Sequence, residues 1–214
     1  MLNTTYNYNI TKNDTLIILD WDNTLFPTTW VIKNNINIKD PETSNKYIVY
    51  FHELDSVLSE LLIKLQKYGK VVIVTNAMPT WIKISSAVLP KTAYVLQKIK
   101  VVSARKNHQA TSPHMMDWKK LAFIEEVKNE MLNKKILNII SIGDAEYEYK
   151  ALIDLYNSTH LSDKQKLLKS IKFMDEPSHE TLIDQLQVIT RSVDEICLIK
   201  KHLDKKFTFF SNYR

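Results

Sequence analysis

Two carboxylates one residue apart, Asp20 and Asp22, follow directly on the apolar run Leu16-Ile17-Ile18-Leu19. That run is too short for a globular helix and rich in isoleucine, so it reads as a buried strand. An isolated ionised carboxylate is costly to take out of water, and packing gives no reason to end a strand this way. The pair fits the carboxyl end of a strand, in the crevice where open α/β sheets hold ligands. Two negative charges so close also ask for a cation. The plain alternative is a solvated turn, since Asp, Asn and Thr all favour turns.

Two further polar groups stand in the same relation to apolar runs. Thr75-Asn76 follows Val71 to Val74, and Gly143-Asp144 follows Ile136 to Ile142. In a parallel sheet all carboxyl ends lie on one side, so the three groups can converge from distant parts of the chain.

The elements that must position them are read from periodicity. Phe51, Leu54, Leu58, Leu61, Leu62, Leu65 and Tyr68 fall at helical spacing, with Gly69 as the C-cap signal. A helix starts near Pro79 and uses Trp81, Val88 and Leu89; Ile99 to Ser103 is a weakly marked strand, and Arg105 to Met116 reads as loop. From Asp117 a helix turns Trp118, Leu121, Ile124, Val127 and Met131 inward. Another carries Tyr147, Ala151, Leu152 and Leu155. Ser170 to Met174 reads as a last strand. A final helix runs through Leu182, Leu186, Ile189, Val193, Ile196 and Leu203, as a seam for the sheet or for a second subunit. Asp175-Glu176 before Pro177 marks a turn at the same sheet edge. Strands alternating with helices predict an α/β fold, a doubly wound, mainly parallel sheet with a small insertion and a C-terminal helix. Residues 1–214 read as one domain, with 26–50 as a flap or small cap.

Composition sets bounds. The chain has 214 residues, 44% of them hydrophobic and 25% charged, enough for a core without staples. A lone cysteine, Cys197, excludes an intramolecular disulfide and makes a reducing, cytoplasmic setting the default expectation. The polar, Asn-rich start suggests no signal peptide, and no run reaches membrane-spanning length. Sequons at Asn3, Asn9, Asn13 and Asn157 read as chance without secretion. The net charge is +5, but the basic residues are scattered as pairs near Lys119, Lys134, Lys200 and Lys205. That pattern fits a solvated lysine-rich face better than a nucleic-acid surface. Only two glycines occur, Gly69 and Gly143, so dinucleotide-binding and P-loop readings fail. His52, His108, His114, His160, His179 and His202 show no metal-ligand spacing.

Taken in order, these motifs resemble the haloacid dehalogenase (HAD) superfamily, mostly phosphohydrolases. Asp20-Trp21-Asp22-Asn23-Thr24 matches its first motif and Val74-Thr75-Asn76 its second. The third, a lone lysine at a helix start, falls on Lys119 or Lys120, with Lys119 preferred. Gly143-Asp144-Ala145-Glu146-Tyr147-Glu148 matches the fourth, with Glu148 in place of the last aspartate.

The resemblance implies a Rossmann-like core with the first strand between those ending in Thr75 and Asp144. It also implies a phosphatase acting on a phosphate monoester, with Asp20 as nucleophile, forming an aspartyl-phosphate. Asp22 would be the acid and base. That residue favours phosphatase or phosphomutase chemistry over dehalogenation, which does not need it. Mg²⁺ would be held by the Asp20 carboxylate, the Asp22 backbone carbonyl and Asp144. Glu148 would complete this set, through water or by orienting another ligand; its plain reading is an exposed helix carboxylate. The Thr75 hydroxyl and Asn76 N–H would hold phosphate oxygens, and Lys119 would offset charge. A small cap leaves the site open to a small molecule, a phosphoprotein or a nucleic-acid end. The alternatives are a phosphotransferase or mutase, and a non-catalytic binding protein on the same fold.

Overall fold

The apolar runs form the expected strands. In the computed structural model, which describes residues 9–158 and 164–208, Thr15–Leu19 is β1 and is buried along its whole length. The sequon at Asn3, the last residue of that at Asn157, and His160 lie outside the described residues. Lys70–Thr75 is β2, Lys100–Ser103 β3, Ile136–Gly143 β4, Gln165–Lys172 β5 and Leu203–Lys206 β6. These six lie in the order β3-β2-β1-β4-β5-β6, every pairing parallel. β1 is therefore central: Ile17 sits opposite Val71 on one side and Ile140 on the other.

Alternation splits the strand residues between two cores. Ile17, Leu19, Val71, Ile73, Ile140, Ile142 and Ile171 face one layer. This layer holds helices α1 (Thr28–Lys33), α3 (Ile48–Tyr68), α4 (Pro79–Ser86), α5 (Pro90–Leu96) and α9 (His179–Leu198), which contribute Val31, Leu58, Ile82, Val95 and Leu186 among others. Leu16, Ile18, Val72, Val74, Ile139 and Leu168 face the other layer, built on α7 (Met115–Met131) and α8 (Glu146–Asn157). The two remaining helices are short, α2 (Pro41–Lys46) and α6 (Ala104–His108). The seam of α9 belongs to the core: Leu182, Leu186, Ile189, Val193 and Ile196 are all buried there.

Residues 26–50 hold α1, α2 and the first turn of α3, and Phe26, Val31, Ile36 and Ile38 from this stretch are core residues. Several local readings elsewhere change. Gly69 does end α3, but with φ −168°, an extended rather than left-handed cap. A Cβ there would stand 2.6 Å from Thr15 Cγ2, so close approach to β1 is its reason. α4 ends at Ser86, short of Val88 and Leu89, Pro90 opens a separate helix, and the loop reading of Arg105 to Met116 overlooks most of α6. β5 begins five residues earlier than its apolar signal. Lys166, Lys169 and Lys172 hide it; all three are buried. Leu203 lies in β6, beyond the helix.

Candidate active site

The backbone of β1 carries on past its last residue. Asp20 N donates to Ile142 O of β4 (3.0 Å), which fixes the first carboxylate at the sheet edge. The chain then reverses at once: Trp21 O accepts from the N–H groups of Thr24 (3.3 Å), Leu25 (2.9 Å) and Phe26 (3.0 Å). Asn23 takes the corner with φ 56°, a left-handed value that Asn tolerates better than most residues. Its Oδ1 accepts from Thr29 N (2.9 Å), tying the turn to α1. Trp21 is fully buried, stacked on Phe26 at 6.2 Å, and its Nε1 donates to Ser85 Oγ of α4 (2.9 Å). The indole between the two carboxylates is thus a core anchor.

Asp20 meets a cation delivered by another layer. Lys119 Nζ, 1% exposed, lies 2.6 Å from Asp20 Oδ1 and 2.6 Å from Glu148 Oε1. Lys120, one residue on, is partly exposed and pairs with Asp154 at 3.1 Å. Glu148 is buried on α8, in the place expected for Tyr147, and its Oε2 has no partner. Gly143 makes room for it, since a Cβ there would stand 2.6 Å from Glu148 Cγ.

The electrostatics follow from burial. Asp20 and Glu148 are held above the usual carboxylate range by desolvation, which Lys119 only partly offsets. Desolvation alone would lower the Lys119 ammonium, but Asp20 and Glu148 together push it well above normal, so it stays charged. Asp144 is pushed up to about 8 by burial, then by the charges of Asp20 and Glu148. Thr24 Oγ1 donates to Asp144 Oδ1 (3.3 Å), linking the first and fourth motifs.

Asp22 points elsewhere. Its Oδ1 accepts from Trp81 Nε1 of α4 (2.8 Å) and from the Thr28 hydroxyl of α1. At the end of β2, Thr75 is buried and its Oγ1 accepts from Ala77 N (3.0 Å), while Asn76 Oδ1 is buried without a partner. Ser103, at the end of β3, donates to Ala77 O (2.7 Å) and caps α6. The sequence reading missed Thr28, Trp81, Ser85 and Ser103. No local pattern marks them, although Trp81 and Thr28 each lie within a few residues of a recognised motif.

The other conspicuous side chains pack or pair elsewhere, although Asp175 and Glu176 do lie just past the carboxyl end of β5. His179 packs between Trp30 (5.1 Å) and Tyr50 (4.1 Å), and His202 Nδ1 accepts from Leu168 N (3.2 Å). Cys197 is core, its thiol pushed up to about 11 by burial. Glu176 and Asp175 form ion pairs with Lys33 (2.6 Å) and Lys172 (2.7 Å). Among the described residues, no three His, Cys, Asp or Glu side chains gather as a ready metal cage. None of the helices described is long and apolar enough to cross a membrane.

Fold and edge together define an α/β protein of Rossmann-like, all-parallel type, with an acidic centre at the carboxyl ends of β1 and β4. No family model matches the chain, and no curated protein matches it. Among solved structures it is similar to a HAD family hydrolase from Deinococcus radiodurans R1 with bound phosphate and sodium. That match has 12% identity, TM-score 0.43, and covers 91% of this chain and 100% of the other. It is also similar to cytosolic 5'-nucleotidase IIIB bound to cytidine, with 11% identity, TM-score 0.37, and 86% and 88% of the two chains covered.

Proposed function

We propose that the chain is a phosphohydrolase acting on phosphate monoesters through Asp20. The observation that carries this reading is the buried Asp20–Lys119 contact of 2.6 Å, with a second carboxylate, Asp22, two residues on and held apart from that pair. Lys119 occupies Oδ1 of Asp20, which leaves Oδ2 to attack phosphorus. As the Asp20 oxygen–phosphorus bond forms, the bond to the leaving oxygen breaks, and Asp22 delivers its proton there. In the second half Asp22 takes a proton from water, whose oxygen attacks the aspartyl-phosphate and frees Asp20. Backbone N–H groups after β2 and the Lys119 ammonium balance the charge on the phosphoryl oxygens.

The donor set fits a hard divalent cation. Asp20 and Glu148 both contact one buried ammonium, and Asp144, pushed up to about 8 by burial and then by the charges of those two carboxylates, has more negative charge around it than Lys119 offsets. Asp20, Asp144 and the Asp22 carbonyl would hold Mg²⁺, with Glu148 keeping Lys119 in place. The ion, when bound, supplies charge neutralisation at the phosphoryl group.

The test is hydrolysis of an aryl phosphate with and without Mg²⁺, using Asp20→Asn as the blank. Metal-dependent turnover that disappears in the variant supports the reading; turnover that survives Asp20→Asn removes the nucleophile assignment. Turnover that depends on an added acceptor alcohol would make the protein a phosphotransferase.

A further inference from the structure

We propose that Thr28 and Trp81 form a two-donor clamp that assigns the proton-carrying role to one oxygen of Asp22, a step that rests on the phosphohydrolase reading above. Both donors converge on the same atom. Trp81 Nε1 lies 2.8 Å from Asp22 Oδ1, and the Thr28 hydroxyl bonds the same oxygen. An indole N–H can only donate, so Oδ1 must be an acceptor while this contact exists. With the Thr28 hydroxyl donating to it as well, both lone pairs of Oδ1 are engaged, which leaves Oδ2 for the transferable proton, and the carboxyl plane is fixed by two anchors from different helices. Rotation about the Asp22 side chain would break both bonds.

The clamp is set by the fold rather than by Asp22 itself. Thr28 is the first residue of α1, held by the turn that Asn23 closes onto Thr29. Trp81 lies in the first turn of α4. That helix is joined to the same loop by a second indole in the opposite sense, Trp21 Nε1 donating to Ser85 Oγ, while Ser85 Oγ donates to Trp81 O (2.8 Å). Phe26 meets the Trp81 ring edge-on at 5.9 Å. Loop and helix are thus bound twice, once through each tryptophan. A proton donor contributes to catalysis only when its acidic oxygen faces the leaving group, so this orientation is worth part of the ~10²–10⁴-fold that a general acid supplies. Thr28 and Trp81 are positioning residues: they act through Asp22.

The experiment reads kcat/KM, which reports the step that expels the leaving group, for a series of aryl phosphates from 2,4-dinitrophenyl to phenyl. Wild type, Trp81→Phe, Thr28→Val, Thr28→Ser and the Trp81→Phe/Thr28→Val pair are compared with Mg²⁺ present and folding checked by thermal melts. A poor leaving group needs the proton and a good one does not. The double variant is therefore expected to lose at least tenfold more on phenyl than on dinitrophenyl phosphate, with Thr28→Ser keeping the shallow wild-type dependence. An equal loss across the series makes the two residues merely structural and overturns the clamp, as does no loss at all. Should Trp81→Phe fail to fold, Thr28→Val against Thr28→Ser decides the same question. A wild type that hydrolyses none of the series, or an Asp20→Asn variant as active as wild type, fails the phosphohydrolase reading itself. Those outcomes differ from a working enzyme whose leaving-group dependence ignores Thr28 and Trp81.

Discussion

At the scale of single residues, neighbours Lys119 and Lys120 have opposite surroundings. Among the described residues, Lys119 is the only counter-charge in contact with two buried carboxylates, whereas Lys120 shares a partly exposed pair with Asp154. Removing one partner of a buried pair leaves the others uncompensated, at a cost of about 3–5 kcal/mol. Lys119→Ala is thus expected to lower stability by that order and turnover by roughly 100-fold or more, as for other groups that stabilise developing charge. Lys120→Ala should stay within about 0.5 kcal/mol of wild type, since it breaks only an exposed pair. Thermal melts and phosphatase rates on both variants check this; the reverse order would move the motif lysine to Lys120. The sequence made Asp20, Thr75 and Asp144 visible because each follows an apolar run that can only be a strand. Thr28, Trp81 and Ser103 lack such a frame. Their hydrogen bonds join segments that only the folded chain brings together, up to 59 residues apart for Trp81 and Asp22.

At the scale of elements, hydrophobic periodicity found the existence of helices and strands but misjudged faces where ionised side chains occupy core positions. Val127 and Met131 of α7 are buried as expected and Trp118 and Ile124 pack against the same core, but Lys119, Ala122, Phe123 and Glu126 share the inward face because a lysine and a glutamate count as outward residues in any apolar pattern. β5 shows the same effect through Lys169. This side chain is fully buried, and its Nζ donates to Cys197 O of α9 (3.0 Å). Burial lowers its pKa from 10.5 to about 8, while the nearby Cys197 opposes the shift. Between those values the unfolded chain binds more protons than the folded one, so this residue makes stability rise with pH over that window. Below about pH 8 the full penalty applies, roughly 3 kcal/mol. Lys169→Met is expected to raise stability at pH 7 by about 1–3 kcal/mol, because Asn138 Nδ2 still donates to Cys197 O (3.0 Å). The gain should shrink above pH 8 and vanish near pH 10.5. Denaturant melts of both proteins from pH 7 to 10.5 measure it, and a gain independent of pH would show that the buried ammonium is not its source.

At the scale of the molecule, charge is sorted between the two edges of the sheet. Lysines that look scattered along the chain, Lys12, Lys70, Lys98, Lys100 and Lys134, line one groove at the amino ends of β1, β2 and β3. Helices α3, α5 and α7 end at Tyr68, Leu96 and Met131, beside Lys70, Lys98 and Lys134 in the chain. Lys70 and Lys100 pair there with Glu130 and Glu126, and the partial negative helix ends favour the lysines beside them, without a bound polyanion. At the opposite edge Lys119 contacts Asp20 and Glu148, and Asp144 feels both of those charges; if this edge holds the proposed cation, global stability should depend on it. Asp144 binds its proton up to about 8 when folded but only to 3.8 when unfolded. Between those values the folded state holds the extra proton, so metal-free stability falls as pH rises. A divalent ion replaces that proton, so its stabilising effect grows over the same range. At about 100 times its Kd, Mg²⁺ adds ~2.7 kcal/mol, which is roughly 5–10 °C of Tm for a chain of this size. The expected result is a Tm rise of that order at pH 8, markedly smaller at pH 5.5, reversed by a chelator and mostly lost in Asp144→Asn. An equal rise in Asp144→Asn, or one that does not grow with pH, would place the ion away from this edge.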